Sequence, residues 1–516
     1  MAILPAMIVL KFRTAKQLSA LFLLSAVGTL MLARAATPAL PGAATAAGLS
    51  AQIDAQIDQP RFAAAAWGIA VVSLDSGRTL YVHNADQLLQ PASTAKLFTA
   101  AVSLSALGPD YRMATQLLTS GKMVQGRLNG PLILYGGGDP TLGTESTENW
   151  ADQLAGQAAA HGLRFVRGGL IADDTWFAGP AHGSGWEAED LQSWFAVPSS
   201  ALSVDENIAR VTIAPGTAPG RAAQLSIAPQ DAFPDIDGQL ITTARRTADD
   251  INLYRGPGDL TLHVFGSVAA DRHRQDFKLA MSDPARVAGM QLRQALKNHG
   301  IHITGKLSVV HWPQINPAPP EKAQLIAQVL SPPLSDILGR GLKRSQNLYL
   351  QNLLLSVGAM RPAPATTGFT STERRGIGAL RHLLDQIGIP PSASLIGEGT
   401  GLSRRDLVTP NAMARLLTYL AALPYADMIR DALPIAGVDG TLAGHMRGTA
   451  AENNVHAKTG SMSYVHCLAG YVTSAAGEHL AFAIMLNNYD RPHAAPRVST
   501  DVDAIAILLA RYRGQH

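Results

Sequence analysis

Three short motifs, each occurring once in the 516 residues, hold the side chains that could carry out acyl transfer. Ser93-Thr94-Ala95-Lys96 sets a hydroxyl three residues before an amine, and on a helix such a pair shares one face. At a helix start the serine also gains backbone N–H groups aimed at a developing oxyanion. A serine hydroxyl is too weakly acidic to attack a carbonyl unaided and needs a neighbouring base. A lysine fills that role only when uncharged, against an ordinary titration near ~10.4, so burial or a second cation must lower it. Ser345-Gln346-Asn347 opens a predicted helix, and Lys458-Thr459-Gly460 precedes a strand hairpin pattern. Singly, these motifs read equally well as a surface helix start, a capping serine and a turn. All three in this order, in elements of the right kind, are far more specific.

The elements around them predict an α/β fold. Trp67–Asp75 and Thr79–Asn84 form a hairpin pattern across Ser76-Gly77. Pro91 then opens an Ala/Leu-rich helix predicted over Ala92–Ala106. From about 120 to 310 the texture changes to turn clusters and short strands, among them Arg210–Ile213, Gln224–Ile227, Leu240–Thr243 and Leu260–Phe265. A helix over Asp283–His299 and a strand over Ile301–Val310 follow, and the Pro-rich stretch His311–Pro320 marks the exit. Helices return at Leu334–Gly341, Ser345–Ser356, Thr372–Ile387 and Thr409–Ala422. Strands Cys467–Thr473 and His479–Asn487 and a helix over Thr500–Arg513 close the chain. The pattern predicts one α/β domain, residues 51–120 and 321–516, interrupted by a β-rich insertion over 121–320. The insertion forms one or two extra domains, the second nested near 205–265.

Length alone suggests about three domains, and 47% hydrophobic against 16% charged residues supplies large cores. The single cysteine, Cys467, excludes an intrachain disulfide framework and cysteine-built zinc or iron–sulfur sites. The formal charge of +3 belongs to the first 35 residues, which carry Lys11, Arg13, Lys16 and Arg34 and no acid. Taking those four from the 42 basic residues leaves 38 against 39 acidic ones, a net of −1. Nucleic-acid binding thus loses its electrostatic argument. Residues 1–35 read as a secretory signal: basic residues, an apolar run over Leu18–Leu32, and a small-x-small site at Ala33-Arg34-Ala35. An uncleaved anchor is the competing reading, although the apolar run is short for a span. Residues 36–50, rich in Ala, Gly, Pro and Thr, read as a linker. The expectation is an exported, periplasmic protein with at most peripheral membrane association.

The three motifs together resemble the penicillin-recognising serine hydrolases. Ser93 and Ser345 are 252 residues apart, and Ser345 and Lys458 are 113 apart. These intervals are similar to those of the D-alanyl-D-alanine carboxypeptidase/endopeptidase family, the type-4 penicillin-binding proteins of peptidase family S13. So are Gly137-Gly138-Asp139-Pro140-Thr141-Leu142, Gly399-Thr400-Gly401-Leu402-Ser403-Arg404 and Asp439-Gly440-Thr441-Leu442, and the likeness covers residues 52–516. It implies a transpeptidase-like (β-lactamase-like) catalytic domain and a serine-type peptidase that needs no cofactor or metal. Its substrates would be peptidoglycan stem peptides, and β-lactams would acylate it. It further implies Ser93 as nucleophile, Lys96 as base, Ser345 as proton relay and Asn347 as holder of Lys96 and the substrate amide. Lys458, Thr459, Gly460 and Ser461 would form the carboxylate-binding strand, with the Ser93 and Ser461 N–H groups as oxyanion hole. The segment Gly185–Phe195 is similar to the family's substrate-selecting stretch, which puts Asp190 opposite the diaminopimelate amine and Phe195 along its aliphatic chain. Arg404 would take its carboxylate as a fork. His456 departs from relatives that often carry Arg there, and a packing or surface role is expected for it. No Glu-x-x-x-Asn segment lies between Asn347 and Lys458 to supply a deacylating glutamate. That favours a penicillin-inhibited peptidase over a β-lactamase. A β-lactamase or esterase of the same superfamily, and a non-catalytic β-lactam sensor, stay open at this stage.

Overall fold

The computed structural model describes residues 46–316, 322–362, 368–489 and 499–514. The predicted leader, and residues 36–45 of the predicted linker, lie outside these. Residues 46–50 depart from the linker expectation, because they begin a helix, Ala46–Ile57. Leu49, Ile53 and Ile57, four residues apart, form its apolar stripe and are buried.

That stripe packs on a five-stranded antiparallel sheet in the order His456–Met462, Val465–Thr473, His479–Asn487, Ala66–Ser73, Thr79–His83. Leu480 to Asn487 are all buried, a continuous run that only a strand covered on both faces adopts. The helices Ala46–Ile57 and Ser499–Arg511 cover one face. The helices Lys96–Leu107, Asn347–Ala359, Thr372–Gln386 and Pro410–Ala421 fill the other. These two cores sandwich the sheet in an α/β/α arrangement.

Among the described residues, four further sheets lie between the two halves of this arrangement. In the largest, the order is Leu307–Val310, Leu170–Asp173, Leu132–Tyr135, Ala114–Thr119, Gln324–Leu330, with both parallel and antiparallel pairs. The strands Ala114–Thr119 and Gln324–Leu330 pair with each other. This sheet therefore takes in residues on both sides of the 121–320 limits expected for the insertion. The strand expected over Ile301–Val310 is two strands, His302–Ile303 and Leu307–Val310, in different sheets. Gly305 between them lies so close to the Gly168–Gly169 backbone that a Cβ would sit 2.5 Å from Gly169 N. The nested stretch forms two three-stranded sheets and reaches Ala280, beyond the expected 265.

Candidate active site

Ser93 sits on a 3₁₀ turn, Ala92–Ala95, that runs into the helix Lys96–Leu107. The sequence pattern predicts a continuous α-helix here, and the difference matters for chemistry. In a 3₁₀ turn residues i and i+3 eclipse one another, which brings Lys96 Nζ to 2.7 Å from Ser93 Oγ. Thr94 tightens the turn by donating its hydroxyl to the Pro91 carbonyl (2.7 Å). Two glycines allow the turn its place. A Cβ on Gly401, whose φ is +75°, would lie 1.9 Å from Ala92 O, and one on Gly460 would lie 2.5 Å from Pro91 O. Gly460 is thus where the edge strand closes against the Ser93 turn.

Lys96 is fully buried. Besides Ser93, its Nζ meets Asn347 Oδ1 at 2.6 Å and the Thr400 carbonyl at 2.9 Å. Burial pushes its pKa down to about 7, against an opposing pull from the Glu398 carboxylate. A second cation was expected to share in lowering it, but the repulsion between the two buried amines falls on Lys458 instead. Burial, and then repulsion from Lys96, hold buried Lys458 well below its ordinary value. Lys458 Nζ donates to Ser345 Oγ (2.9 Å) and to the Thr459 carbonyl (2.7 Å). Ser345 differs from a capping serine. It has φ +57°, outside the helix that starts at Asn347, and its hydroxyl faces Lys458. Asn347 donates its amide Nδ2 to the Phe195 carbonyl (2.7 Å), which fixes Oδ1 toward Lys96. The Thr459 and Thr441 hydroxyls are 2.6 Å apart, so the Asp439–Leu442 segment backs the edge strand. Ser461 is exposed on that strand, opposite His466.

The residues expected to select the substrate side chain are placed less simply. Asp190 is half-buried, and burial followed by Glu187 and Glu189 raises its pKa, while Arg404 lowers it. Arg404 Nε lies 3.3 Å from Glu187 Oε1 and its Nη1 donates to the Ser463 carbonyl (3.1 Å). Its guanidinium is therefore engaged rather than presented as an open fork. Phe195 enters the site through its carbonyl, and its ring stands edge-on to Trp194. His456 is half-buried with Nδ1 3.2 Å from the Arg430 carbonyl. It lines a 600 Å³ groove with Leu74, Asn453, Thr473 and His479, at the opposite end of the sheet from the Ser93 turn.

The Thr400 carbonyl is a contact of Lys96 that residue reasoning missed, since a backbone oxygen has no residue-type signature. Glu206 is another. From the inserted region it accepts from Gln346 Nε2 (3.0 Å) and the Tyr349 hydroxyl (2.9 Å), gripping the middle residue of Ser-x-Asn. Three consecutive residues with positive φ, Asp205, Glu206 and Asn207, mark that turn.

The profile of the D-Ala-D-Ala carboxypeptidase 3 (S13) family matches residues 49–512. The chain is 34% identical over 492 residues to a D-alanyl-D-alanine carboxypeptidase of Actinomadura sp. (strain R39), covering 93% of this chain and 88% of that one. It is 30% identical over 434 residues to the D-alanyl-D-alanine carboxypeptidase DacB of Haemophilus influenzae, covering 82% and 85%. The crystal structure of penicillin-binding protein 4 from Haemophilus influenzae superposes with a TM-score of 0.74 at 28% identity, over 88% of this chain and 97% of that one. The same protein complexed with a β-lactam gives 0.70. With its three motifs converged on one buried lysine pair, and this likeness running through both halves and the insertion, the chain belongs to the D-Ala-D-Ala carboxypeptidase 3 (S13) family of serine peptidases.

Proposed function

We propose that this protein is a serine-type D-Ala-D-Ala carboxypeptidase and/or DD-endopeptidase that acts on peptidoglycan stem peptides through an acyl-enzyme on Ser93. The observation that carries the reading is the environment of Lys96 Nζ: fully buried, titrating at about 7, and 2.7 Å from Ser93 Oγ. A neutral amine has two hydrogens and one lone pair. The Asn347 and Thr400 oxygens take the hydrogens, which leaves the lone pair for the Ser93 hydroxyl. Lys96 accepts that proton as Ser93 attacks the D-alanyl carbonyl. The Ser93 and Ser461 N–H groups hold the oxyanion. Ser345, bonded to Lys458, delivers a proton to the departing amine, and Lys458, Thr459 and Ser461 receive the terminal carboxylate. That carboxylate stabilises the charge on Lys458, so Lys96 is the amine left neutral. Water then releases the acyl group.

A β-lactam presents a strained amide to the same serine, and with no Glu-x-x-x-Asn segment between Asn347 and Lys458 to supply a deacylating glutamate the adduct is expected to persist. Asp190, Phe195 and Arg404 are read as the subsite for a diaminopimelate side chain. The mature protein is read as periplasmic after cleavage near Ala35. Among the described residues, no helix is long and apolar enough to cross a membrane. The test is incubation with a purified pentapeptide and with a cross-linked stem dimer, products read by mass. Loss of the terminal D-alanine or cleavage of the D-alanyl cross-link, or both, is expected, and neither with Ser93→Ala. Intact peptides with the native protein would contradict the reading.

A further inference from the structure

A second buried polar cluster lies directly behind Lys96 and takes no part in the steps above. The Thr400 carbonyl that meets Lys96 belongs to a loop wrapped around Glu398, whose side chain is fully buried. Glu398 Oε2 accepts from Thr400 N and Thr400 Oγ1, both at 2.8 Å, and from Trp186 Nε1 at 3.2 Å. Oε1 accepts from Gly401 N at 2.5 Å. Asp406, 1% exposed, accepts from Gly397 N at 2.8 Å through Oδ1. Its Oδ2 is buried and receives no hydrogen from any group among the described residues. Through Gly397, the residue directly before Glu398, Asp406 is held against the same loop, which puts two buried carboxyls side by side in it. A buried carboxylate oxygen with no donor facing it is costly to keep charged, whereas a protonated carboxyl can donate and an ionised one only accepts.

We propose that Asp406 is protonated and donates to Glu398, and that this pair, with one negative charge, positions and tunes the base. It locks the Thr400 carbonyl against Lys96 and sets the charge that Lys96 senses. Glu398 already bonds three backbone N–H groups, a hydroxyl and an indole, which suit it to be the ionised member. Asp406 has one backbone donor and faces Glu398 and, at longer range, Glu373. Burial and these two carboxylates push it up to about 10. Glu373 is separately engaged by Ser184 and by Gln351 Nε2 (2.8 Å). Toward the site, the Glu398 charge supports the ammonium form of Lys96 against burial. Both carboxyls act through Lys96 and are positioning residues, so the inference rests on Lys96 being the base.

The experiment is the pH profile of penicillin acylation, from roughly pH 6 to 9, for the native protein, Asp406→Ala, Asp406→Asn, Glu398→Gln and Lys96→Arg. Asp406→Ala removes the donor, and its acylation rate is expected to fall about tenfold or more. Asp406→Asn supplies a permanent N–H in place of the O–H, so it should restore the rate to within about threefold with the acid-limb midpoint unmoved. Glu398→Gln removes the charge and should lower that midpoint by roughly one unit. A midpoint that drops in Asp406→Asn would mean Asp406 is ionised in the native protein and would overturn the proposal. So would an unmoved midpoint in Glu398→Gln. If Glu398→Gln does not fold, the infrared difference between the native protein and Asp406→Asn decides. A protonated-carboxyl band lost in the variant supports the proposal, and no such band overturns it. Lys96→Arg separates the two levels. Arginine cannot deprotonate, and near-native acylation by this variant would refute the base assignment itself.

Discussion

At the scale of single residues, the candidate side chains could be picked out in the sequence and their partners could not. Ser93, Lys96, Ser345, Asn347 and Lys458 announce themselves because nucleophile, base and relay must be particular residue types. The structure joins Ser93, Lys96 and Asn347 by bonds of 2.6 and 2.7 Å, and Ser345 to Lys458 by one of 2.9 Å. Glu398 and Asp406 gave no such signal. Carboxyls usually lie at the surface, and what allows these to be buried is a set of backbone donors that only the folded loop supplies. Arg404 was legible as a cation near the site, but its pairing with Glu187 depends on how two distant loops meet. The acidic stretch yields a prediction about substrate choice. Asp190, half-buried beside Glu187 and Glu189, is read as the partner of the diaminopimelate amine. A charge-assisted contact is worth about 1.5–3 kcal/mol. Asp190→Ala should therefore lower turnover of diaminopimelate-bearing peptides roughly 10- to 100-fold in steady-state assays. Acylation by a simple penicillin lacking that side chain should hardly change, and an equal fall in both reactions would make Asp190 structural.

At the scale of elements, strand and helix spans in the catalytic portion were readable where burial is continuous or strongly amphipathic. His479–Asn487 is a strand over the predicted residues, and Thr372–Gln386 is a helix within one residue of expectation. The 3₁₀ start at Ala92–Ala95 was not readable, because an Ala/Leu-rich stretch has no residue that distinguishes it from an α-helix. It is imposed from outside, by Gly401 and Gly460 letting two other segments press on the turn. Gly401→Ala tests this. Its Cβ would strike Ala92 O in a backbone conformation that favours glycine. The turn or the loop must then shift, and displacements near 1 Å cost on the order of 100-fold in rate. Penicillin acylation by Gly401→Ala is expected to fall by about that factor. Gly444→Ala, where nothing lies within 4 Å of the added Cβ, should match the native rate. Equal rates for both variants would remove the role assigned to the close approach.

At the scale of the whole molecule, the inserted region is bolted to the catalytic helices rather than tethered beside them. Glu206 holds Gln346 and Tyr349, while Asn352 donates to the Gly138 and Ser200 carbonyls. The Phe195 carbonyl orients Asn347. The change of texture near 120 and the return of helices after 330 are what led to the expectation of an insertion. Its limits were not legible, because the strands that close its largest sheet, Ala114–Thr119 and Gln324–Leu330, find each other only across 200 residues of chain. Inside the insertion, His311 joins three elements. Its Nδ1 is 3.0 Å from Asp174 Oδ1 and its Nε2 is 3.4 Å from Asp283 Oδ2, the residue that caps the helix Pro284–Asn298. The hydrogen bonds to the two carboxylates raise its pKa to about 10. A folded value above the unfolded ~6.5 means that the stabilisation is fully present below pH ~6.5 and is lost as pH rises toward 10. His311→Gln should accordingly lower the melting temperature most at pH 6 and very little at pH 10. A loss that is the same at both would show that His311 acts by packing alone.

The account as a whole turns on one covalent bond. The most direct measurement is to react the protein with a penicillin, digest it, and locate the adduct by mass spectrometry. The account predicts one modified site, Ser93, stoichiometric with the protein and missing from Ser93→Ala. An adduct on another residue, or full labelling of Ser93→Ala, would contradict it.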